Sequence, residues 1–202
     1  MRDLVTEFGH IDIYVFDQLL RGNIPPGARV LDAGCGGGRN LVYLLRAGRE
    51  IFAVDSNPDN VEKVRGLAAS LAPRLPRTNF RAEAIETMTF PDEFVDVVLS
   101  SAVLHFARDD AHFQAMLRAM WRMLAPGGLF FCRLASSIGI ENRVEALEGR
   151  RHALPDGTER FLVDEPMLLK ATGELGGTLV DPLKTTIVQD LRAMTTWVVR
   201  KG

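Results

Sequence analysis

The feature that most constrains how this chain can fold is a glycine-rich turn at residues 30–40, which reads VLDAGCGGGRN. The stretch begins as a short apolar strand, places an acid at Asp32, and then has glycine at every second position, Gly34, Gly36 and Gly38. An apolar segment with helical spacing follows. Glycine tolerates positive φ and lets a ligand approach the backbone, and a helix that follows points free N–H groups at the turn. The pattern therefore predicts a strand, a ligand-binding turn and a helix.

The spacing of these glycines argues against two common classes of nucleotide site. The dinucleotide fingerprint G-x-G-x-x-G would need glycine at Arg39 or at Leu41, depending on the register. The phosphate loop that ends in Gly-Lys-Ser/Thr is absent as well, because Gly38 is followed by Arg39 and Asn40. A carboxylate two residues before three alternating glycines suits a ligand with an ammonium group better than one with a pyrophosphate.

Five motifs, in order, resemble those of class I S-adenosylmethionine-dependent methyltransferases. They lie at residues 30–40, 54–55, 82–84, 94–99 and 124–128. The Gly-Arg-Asn ending of the first motif is similar to the tellurite-resistance-type methyltransferases. The resemblance implies an α/β fold, a three-layer αβα sandwich whose seven-stranded sheet is mostly parallel and has an antiparallel last strand. It also implies S-adenosylmethionine as the cofactor.

The resemblance assigns cofactor-binding roles to particular residues. Asp32, Gly34 and Gly36 would serve the methionine part, Asp55 the ribose, and Glu83 with Ala84 and Ile85 the adenine. An acid at the end of the second strand can accept hydrogen bonds from both ribose hydroxyls, although Asp55 could instead cap the next helix, and Glu83 could be a solvated strand end. The further cofactor-binding candidates are Cys35, Asn40, Ser56 and Ser100.

Three residues are candidates for the acceptor side of the site. His105 follows the fourth predicted strand and either deprotonates the acceptor or is a buried structural histidine. Arg133 stands on an otherwise apolar strand, where it either binds an anionic acceptor or extends its guanidinium to the edge. Tyr14 lies on a predicted helix beside the cleft and either touches a ligand or packs in the core.

Hydrophobic periodicity, with glycine and proline residues that end the helices and strands, predicts that helices and strands alternate along the chain. The chain is predicted to end in a hairpin around Gln189 and Asp190. Residues 136–160 carry mixed charges that cancel, and we interpret them as a solvated helix and loop that covers the substrate side. A helical cover is expected at residues 1–27. The predicted helices are 8–21, 40–47, 59–72, 110–124 and 164–172, and the predicted strands are 29–31, 50–54, 79–82, 94–99, 129–134, 178–188 and 193–200.

Length and charge narrow the function classes. The chain has 202 residues and a formal net charge of −2, which favours a single domain with no general attraction to nucleic acid or anionic membrane. Its two cysteines are far apart and not in a Cys-x-x-Cys, so we expect free thiols in a reducing cytoplasm and no metal site. A monomer or homodimer is expected.

The acceptor class follows by elimination. The fourth strand is followed by Ser100, Ser101, Ala102 and Val103 rather than by an Asn/Asp-Pro-Pro-Tyr/Phe motif. This argues against methylation of nucleobase exocyclic amines or of glutamine amides. No Pro-Cys nucleophile is present, which argues against methylation of cytosine at C5. With these acceptor classes disfavoured, a small-molecule acceptor is predicted. The alternatives are an NAD(P)-dependent oxidoreductase on a similar sheet, which the missing fingerprint glycine disfavours, and a non-catalytic module that binds S-adenosylmethionine.

Overall fold

The computed structural model describes residues 3–202 and shows an alternating α/β chain. Its helices are α1 (Leu4–Phe8), α2 (Ile13–Leu20), α3 (Val42–Arg46), α4 (Pro58–Leu71), α5 (Asp110–Met123) and α6 (Glu165–Glu174). Its strands are β1 (Arg29–Ala33), β2 (Glu50–Asp55), β3 (Phe80–Ala82), β4 (Val95–Ser101), β5 (Leu124–Ser136), β6 (Glu145–Glu148), β7 (Arg151–Ala153), β8 (Glu159–Phe161), β9 (Gly177–Leu179), β10 (Lys184–Val188) and β11 (Arg192–Lys201).

The main sheet has the strand order β10-β11-β5-β4-β1-β2-β3, and the short strand β9 also pairs with β11. Strands β1 to β5 pair in parallel, whereas β11 runs antiparallel to β5, β9 and β10. The predicted seven-stranded, mostly parallel sheet with an antiparallel last strand is confirmed. Because parallel strands end at the same edge, the turns after β1, β2, β3 and β4 meet there.

Helices cover both faces of this sheet, as the burial of β4 illustrates. Val97 and Leu99 belong to a core cluster with residues of α2, α3 and α4, whereas Val98 belongs to a second cluster with residues of α5 and α6. Successive residues of a strand point to opposite faces, and both faces of β4 are apolar. The sequence therefore reads as a continuous hydrophobic run, which is typical of a central parallel strand.

The N-terminal segment differs from the single helix predicted over residues 8–21. It forms two helices, α1 and α2, that are separated at Gly9, where φ is +65°. The Asp12 carboxylate accepts a hydrogen bond from the N–H of Tyr14 at 3.0 Å and begins a new helix. Sequence periodicity missed this break because the apolar spacing continues across it.

The prediction of a solvated helix and loop over residues 136–160 was wrong. Strands β6, β7 and β8 form a separate antiparallel sheet, and a turn at residues 154–157 joins β7 to β8. The opposite charges that suggested a solvated helix pair across strands instead, since Arg151 lies 2.7 Å from a carboxylate oxygen of Glu159. Strands of three residues are too short to show a period of two.

The closing hairpin is confirmed for β10 and β11. Gln189 and Asp190, in the connection between them, have φ values of +48° and +56°, the left-handed backbone that tight hairpin turns require. The run predicted as one strand over residues 178–188 is divided, because β9 and β10 are separate strands. Within residues 3–202, no helix combines the length and apolar character needed to cross a membrane.

Candidate active site

The glycine turn connects β1 to α3 at the carboxyl edge of the sheet. Gly34 has a φ of +81°, and its N–H donates to the carbonyl of Val54 at 2.8 Å, which joins the turn to the end of β2. A Cβ atom at Gly34 would lie 2.6 Å from a methyl carbon of Val103. Glycine is therefore required here by both backbone conformation and close packing. The helix begins at Val42, two residues later than predicted.

A cavity of about 570 Å³ opens beside this turn, and we call it the first cavity. Its volume is within the range of small-molecule and cofactor sites. The opposite wall comes from the segment after β4 and from α5, including Val103, Phe106 and His112. Six of the predicted cofactor-binding residues line it: Gly34, Gly36, Asp55, Ser56, Ala84 and Ile85.

Asp55 stands at the end of β2 and holds the turn as well as facing the first cavity. One carboxylate oxygen accepts from the N–H of Gly36 at 2.8 Å. The other accepts from the N–H of Asn57 at 2.9 Å and from the side-chain amide of Asn60 at 3.1 Å. The cap of α4 is Asn57, which accepts from the N–H of Asp59. Asp55 thus fixes the relative positions of the turn and the first turn of α4.

Asp32 is buried beneath the turn and lacks a full set of partners. Only 2% of the residue is exposed, and within residues 3–202 its Oδ2 atom has no hydrogen-bond partner. Burial raises the pKa of the Asp32 carboxyl to about 7, the charge of Arg39 opposes this rise, and the charge of Asp55 adds to it. A buried carboxylate without a partner is costly, so a cationic ligand group at this position would be stabilised.

The acid that faces the first cavity near Ala84 and Ile85 is Glu86 rather than Glu83. Both carboxylate oxygens of Glu83 accept hydrogen bonds from Thr89, at 2.8 and 2.7 Å. Glu86 lines the cavity, and its carboxylate lies 3.1 Å from Nε2 of His112. The sequence motif drew attention to the first acid after β3, and nothing local showed that the second one turns inward.

Three of the other cofactor-binding candidates do not line the first cavity. The side-chain oxygen of Asn40 accepts from the N–H of Asp12 at 2.9 Å and so supports the start of α2. Cys35 is buried in the turn, and burial raises the pKa of its thiol well above the usual range. Ser100 is fully buried within β4. These three residues therefore have structural positions in the turn, in β4 and at the start of α2.

A second cavity, of about 250 Å³, adjoins the first, and Ala102 lines both. It contains two of the predicted acceptor-side residues, His105 and Arg133. Tyr14 does not line it. The Tyr14 hydroxyl lies 2.6 Å from the hydroxyl of Thr186, and its ring centroid lies 5.3 Å from the guanidinium carbon of Arg133. The sequence missed the remaining polar residues of this cavity, which are Asp156, Thr158, Arg160 and Arg192.

His105 is held in one orientation by the backbone of β5. Its Nδ1 accepts from the N–H of Ala135 at 3.1 Å, so in the neutral ring the proton is on Nε2. Burial, followed by the positive charges of Arg160 and Arg133, lowers the pKa of His105 to about 4. Near neutral pH the ring is therefore uncharged, and its one free lone pair is already engaged. This arrangement suits donation from Nε2 and disfavours the predicted role as a base.

The order of the sheet, the glycine turn and the acid at the end of β2 together define the class I methyltransferase fold. A family model described as a methyltransferase domain matches residues 31–132, and the chain belongs to this family. The family agrees with the prediction of S-adenosylmethionine as cofactor.

Solved structures share the fold over nearly the whole chain. PH0226 from Pyrococcus horikoshii OT3 superimposes with a TM-score of 0.73 at 17% identity and covers 98% of this chain and 96% of its own. The 1,6-didemethyltoxoflavin-N1-methyltransferase of Burkholderia thailandensis, solved with its substrate and S-adenosylhomocysteine, gives 0.68 at 22% identity and covers 99% and 81%. At these identities the likeness shows the fold.

Curated relatives match part of their own length. An uncharacterized methyltransferase of Synechocystis is 33% identical over 117 residues, which are 57% of this chain and 51% of that protein. A ubiquinone biosynthesis O-methyltransferase of Mesorhizobium japonicum is 31% identical over 164 residues, 77% of this chain and 61% of that protein. The chain thus spans about half to three fifths of these relatives.

Proposed function

We propose that this chain transfers the methyl group of S-adenosylmethionine to a small-molecule acceptor. The observation that carries the proposal is the first cavity, because the glycine turn, Asp55 and the segment after β3 converge on it at the carboxyl edge of a parallel sheet. Ligands of open α/β sheets bind at this edge. The unpartnered Oδ2 atom of Asp32 fits the cofactor further, since it can pair with an ammonium group.

The residues of the first cavity, together with Asp32 beneath the glycine turn, would divide the binding task. Asp32 and the turn at Gly34 and Gly36 would hold the methionine part, and Asp55 would accept hydrogen bonds from the ribose. Backbone groups at Ala84 and Ile85 would meet the adenine. We assign the side-chain contact in this region to Glu86 in place of Glu83, because Glu86 lines the first cavity and Glu83 does not.

Methyl transfer from a sulfonium requires alignment of the acceptor with the methyl group more than it requires acid or base catalysis. When bound, the cofactor supplies a methyl group on a sulfonium, so the acceptor's lone pair forms the new bond while the electrons of the breaking C–S bond stay on sulfur. The chain holds the reactants in line and excludes water. Val103 and Phe106, in the wall of the first cavity, provide apolar surface for this purpose.

The acceptor is a small molecule in this proposal. The ubiquinone O-methyltransferases and the toxoflavin N-methyltransferase among the similar proteins act on small molecules by name, and the tellurite-type resemblance of the first motif points to the same class. We further propose that the protein works in the cytoplasm as a monomer or homodimer, with neither nucleic acid nor membrane as a partner.

Calorimetry with S-adenosylhomocysteine and NAD tests this function. We expect S-adenosylhomocysteine to bind at least about tenfold more tightly, or ~1.4 kcal/mol, because the third fingerprint glycine is missing. Equal or tighter binding of NAD would favour the oxidoreductase alternative. Formation of S-adenosylhomocysteine from S-adenosylmethionine with a panel of metabolites separates an enzyme from a non-catalytic binding module, which would bind the cofactor without turnover.

A further inference from the structure

The second cavity lies where an acceptor would meet the first cavity. It shares Ala102 with the first cavity, and Ala102 has a φ of +65°, which is uncommon for a residue with a Cβ. The N–H of Ala102 donates to the carbonyl of Arg133 at 2.7 Å, which ties this turn to β5. Non-glycine residues in this conformation are often found at functional sites. The turn between the two cavities is therefore a structured boundary.

Positive charge dominates the second cavity. Arg133 comes from β5, Arg160 from β8 and Arg192 from β11, and Asp156 is the only carboxylate among the lining residues. The Asp156 carboxylate already has hydrogen-bond partners, because its Oδ1 accepts from the backbone N–H of Thr158 at 3.0 Å and from the Thr158 hydroxyl at 2.6 Å. The cavity thus retains an excess of arginine charge.

Hydrogen-bond donors in this cavity are not fully used. In the part of the chain that the structure describes, Nε of Arg133 is buried without a partner, and Nη1 of Arg133 reaches Asp12 only at 3.4 Å. The His105 ring accepts from the backbone through Nδ1, and among residues 3–202 no hydrogen bond joins its Nε2 to an acceptor. Guanidinium groups match planar anions such as carboxylates through paired N–H donors.

The remaining walls are apolar. Ala135, Leu154, Val188 and Met194 line the same cavity. A ligand with a compact apolar body could contact these side chains while an anionic group reached the arginines. A fully polar ion would leave the apolar walls uncovered, and a neutral ligand would leave the arginine donors unmatched.

We propose that the second cavity binds the methyl acceptor as a small organic acid, whose carboxylate is held by Arg133 and Arg160. The apolar body of the acid would lie against Leu154 and Met194, and its nucleophilic group would face the boundary at Ala102. This inference rests on the proposed methyl transfer and specifies the substrate class for it.

Binding of benzoate and benzamide to the full chain tests the inference, because the two probes share a ring and differ in charge. We expect benzoate to bind the protein loaded with S-adenosylhomocysteine about tenfold or more tightly than benzamide. The substitution Arg160→Gln should weaken benzoate binding about tenfold and leave benzamide unchanged. Arg151→Gln is the matched control, since it removes the same charge from the neighbouring strand β7, outside the cavity.

The outcomes separate this inference from the function on which it rests. Unchanged affinity for S-adenosylhomocysteine in both variants, with benzoate weakened only in Arg160→Gln, supports the acid site. Equal binding of the two probes, no binding of benzoate, or equal loss in both variants overturns it while leaving methyl transfer intact. Failure of the parent protein to bind S-adenosylhomocysteine would instead overturn the proposed function.

Discussion

The two cavities at the carboxyl edge of the sheet are built in different ways. The first cavity is formed largely by turns that directly follow strands, so Gly34, Gly36 and Asp55 reach it within a few residues of β1 and β2. The second cavity gathers side chains from distant segments, with Arg133, Arg160 and Arg192 on three different strands. The first cavity thus depends on local sequence motifs, and the second depends on tertiary contacts between segments that are distant in sequence.

This difference separates what each cavity can recognise. Charged side chains of both signs line the first cavity, from Asp55, Glu86 and Arg108, which suits a ligand that carries charged groups and hydroxyls. Arginines dominate the second, which suits an anion. The affinity for a ligand of one cavity should therefore depend only weakly on substitutions in the other.

The largest effect is expected for Asp55→Ala. The substitution removes hydrogen bonds to the proposed ribose, about 1.5–3 kcal/mol for each bond to a charged group, and also frees the N–H of Gly36. Two such bonds amount to at least ~3 kcal/mol, so affinity for S-adenosylhomocysteine should fall by about a hundredfold or more, measured by calorimetry. Benzoate binding should change little, because Asp55 does not line the second cavity.

Asp59→Ala is the matched control, because Asp59 is an exposed acid in the first turn of the same helix. It should leave the affinity unchanged. A variant at Asp55 that melts at a lower temperature but binds S-adenosylhomocysteine as the parent does would show that the acid only fixes the turn and the helix start.

A somewhat smaller effect, and one that depends on pH, is expected for Asp32→Asn. The pKa of Asp32 is raised from 3.8 to about 7, so between these values the folded state holds a proton that the unfolded state has lost. Its contribution to stability is present below pH ~4 and is lost as pH rises through 7. The variant should therefore gain unfolding free energy relative to the parent at pH 8, on the order of a few kcal/mol at ~1.4 kcal/mol per pKa unit.

Urea unfolding at pH 5 and pH 8, with and without S-adenosylhomocysteine, measures this effect. We expect the stability of Asp32→Asn relative to the parent to be greater at pH 8 than at pH 5, by about two pKa units or ~2.7 kcal/mol, because the carboxyl titrates near 7. At pH 8 the variant should also bind S-adenosylhomocysteine less tightly, because the carboxylate is gone. Asp59→Asn should show neither change. A stability difference that is the same at both pH values would contradict the raised pKa.

The same contrast explains how much the sequence predicted. The mostly parallel sheet was predicted from the resemblance of five motifs to a known family. The positions of Gly34 and Asp55 at one edge of the sheet were predicted from residues that are close in sequence, because strand, turn and helix determine where they lie. Even there, the sequence favoured Glu83, since nothing local reveals that Thr89 bonds it and that Glu86 turns inward.

The second cavity could be predicted only in part. His105 and Arg133 were found because each is an unexpected polar residue beside an apolar strand. Arg160 and Arg192 were not, because in sequence they belong to charged segments that resemble solvated surface. Their role depends on the sheet β6–β8 and on the hairpin of β10 and β11, which bring them together.

The smallest effect is expected for His105→Gln. Glutamine can accept from the N–H of Ala135 and donate into the second cavity, as the imidazole does. With the pKa of His105 lowered to about 4, a rise in rate through ~6.5 is not expected from this ring. With one identified acceptor, kcat of the variant should stay within about threefold of the parent from pH 5 to 9, whereas loss of a general base lowers kcat by ~10²–10⁴-fold.

His105→Phe is the second variant, because it keeps an aromatic ring but leaves the buried N–H of Ala135 without an acceptor. It should lower the free energy of unfolding by about 1–3 kcal/mol. A hundredfold loss of kcat in His105→Gln, together with loss of a pH-dependent limb, would restore the histidine as a base and show that the second cavity takes part in proton transfer as well as in recognition.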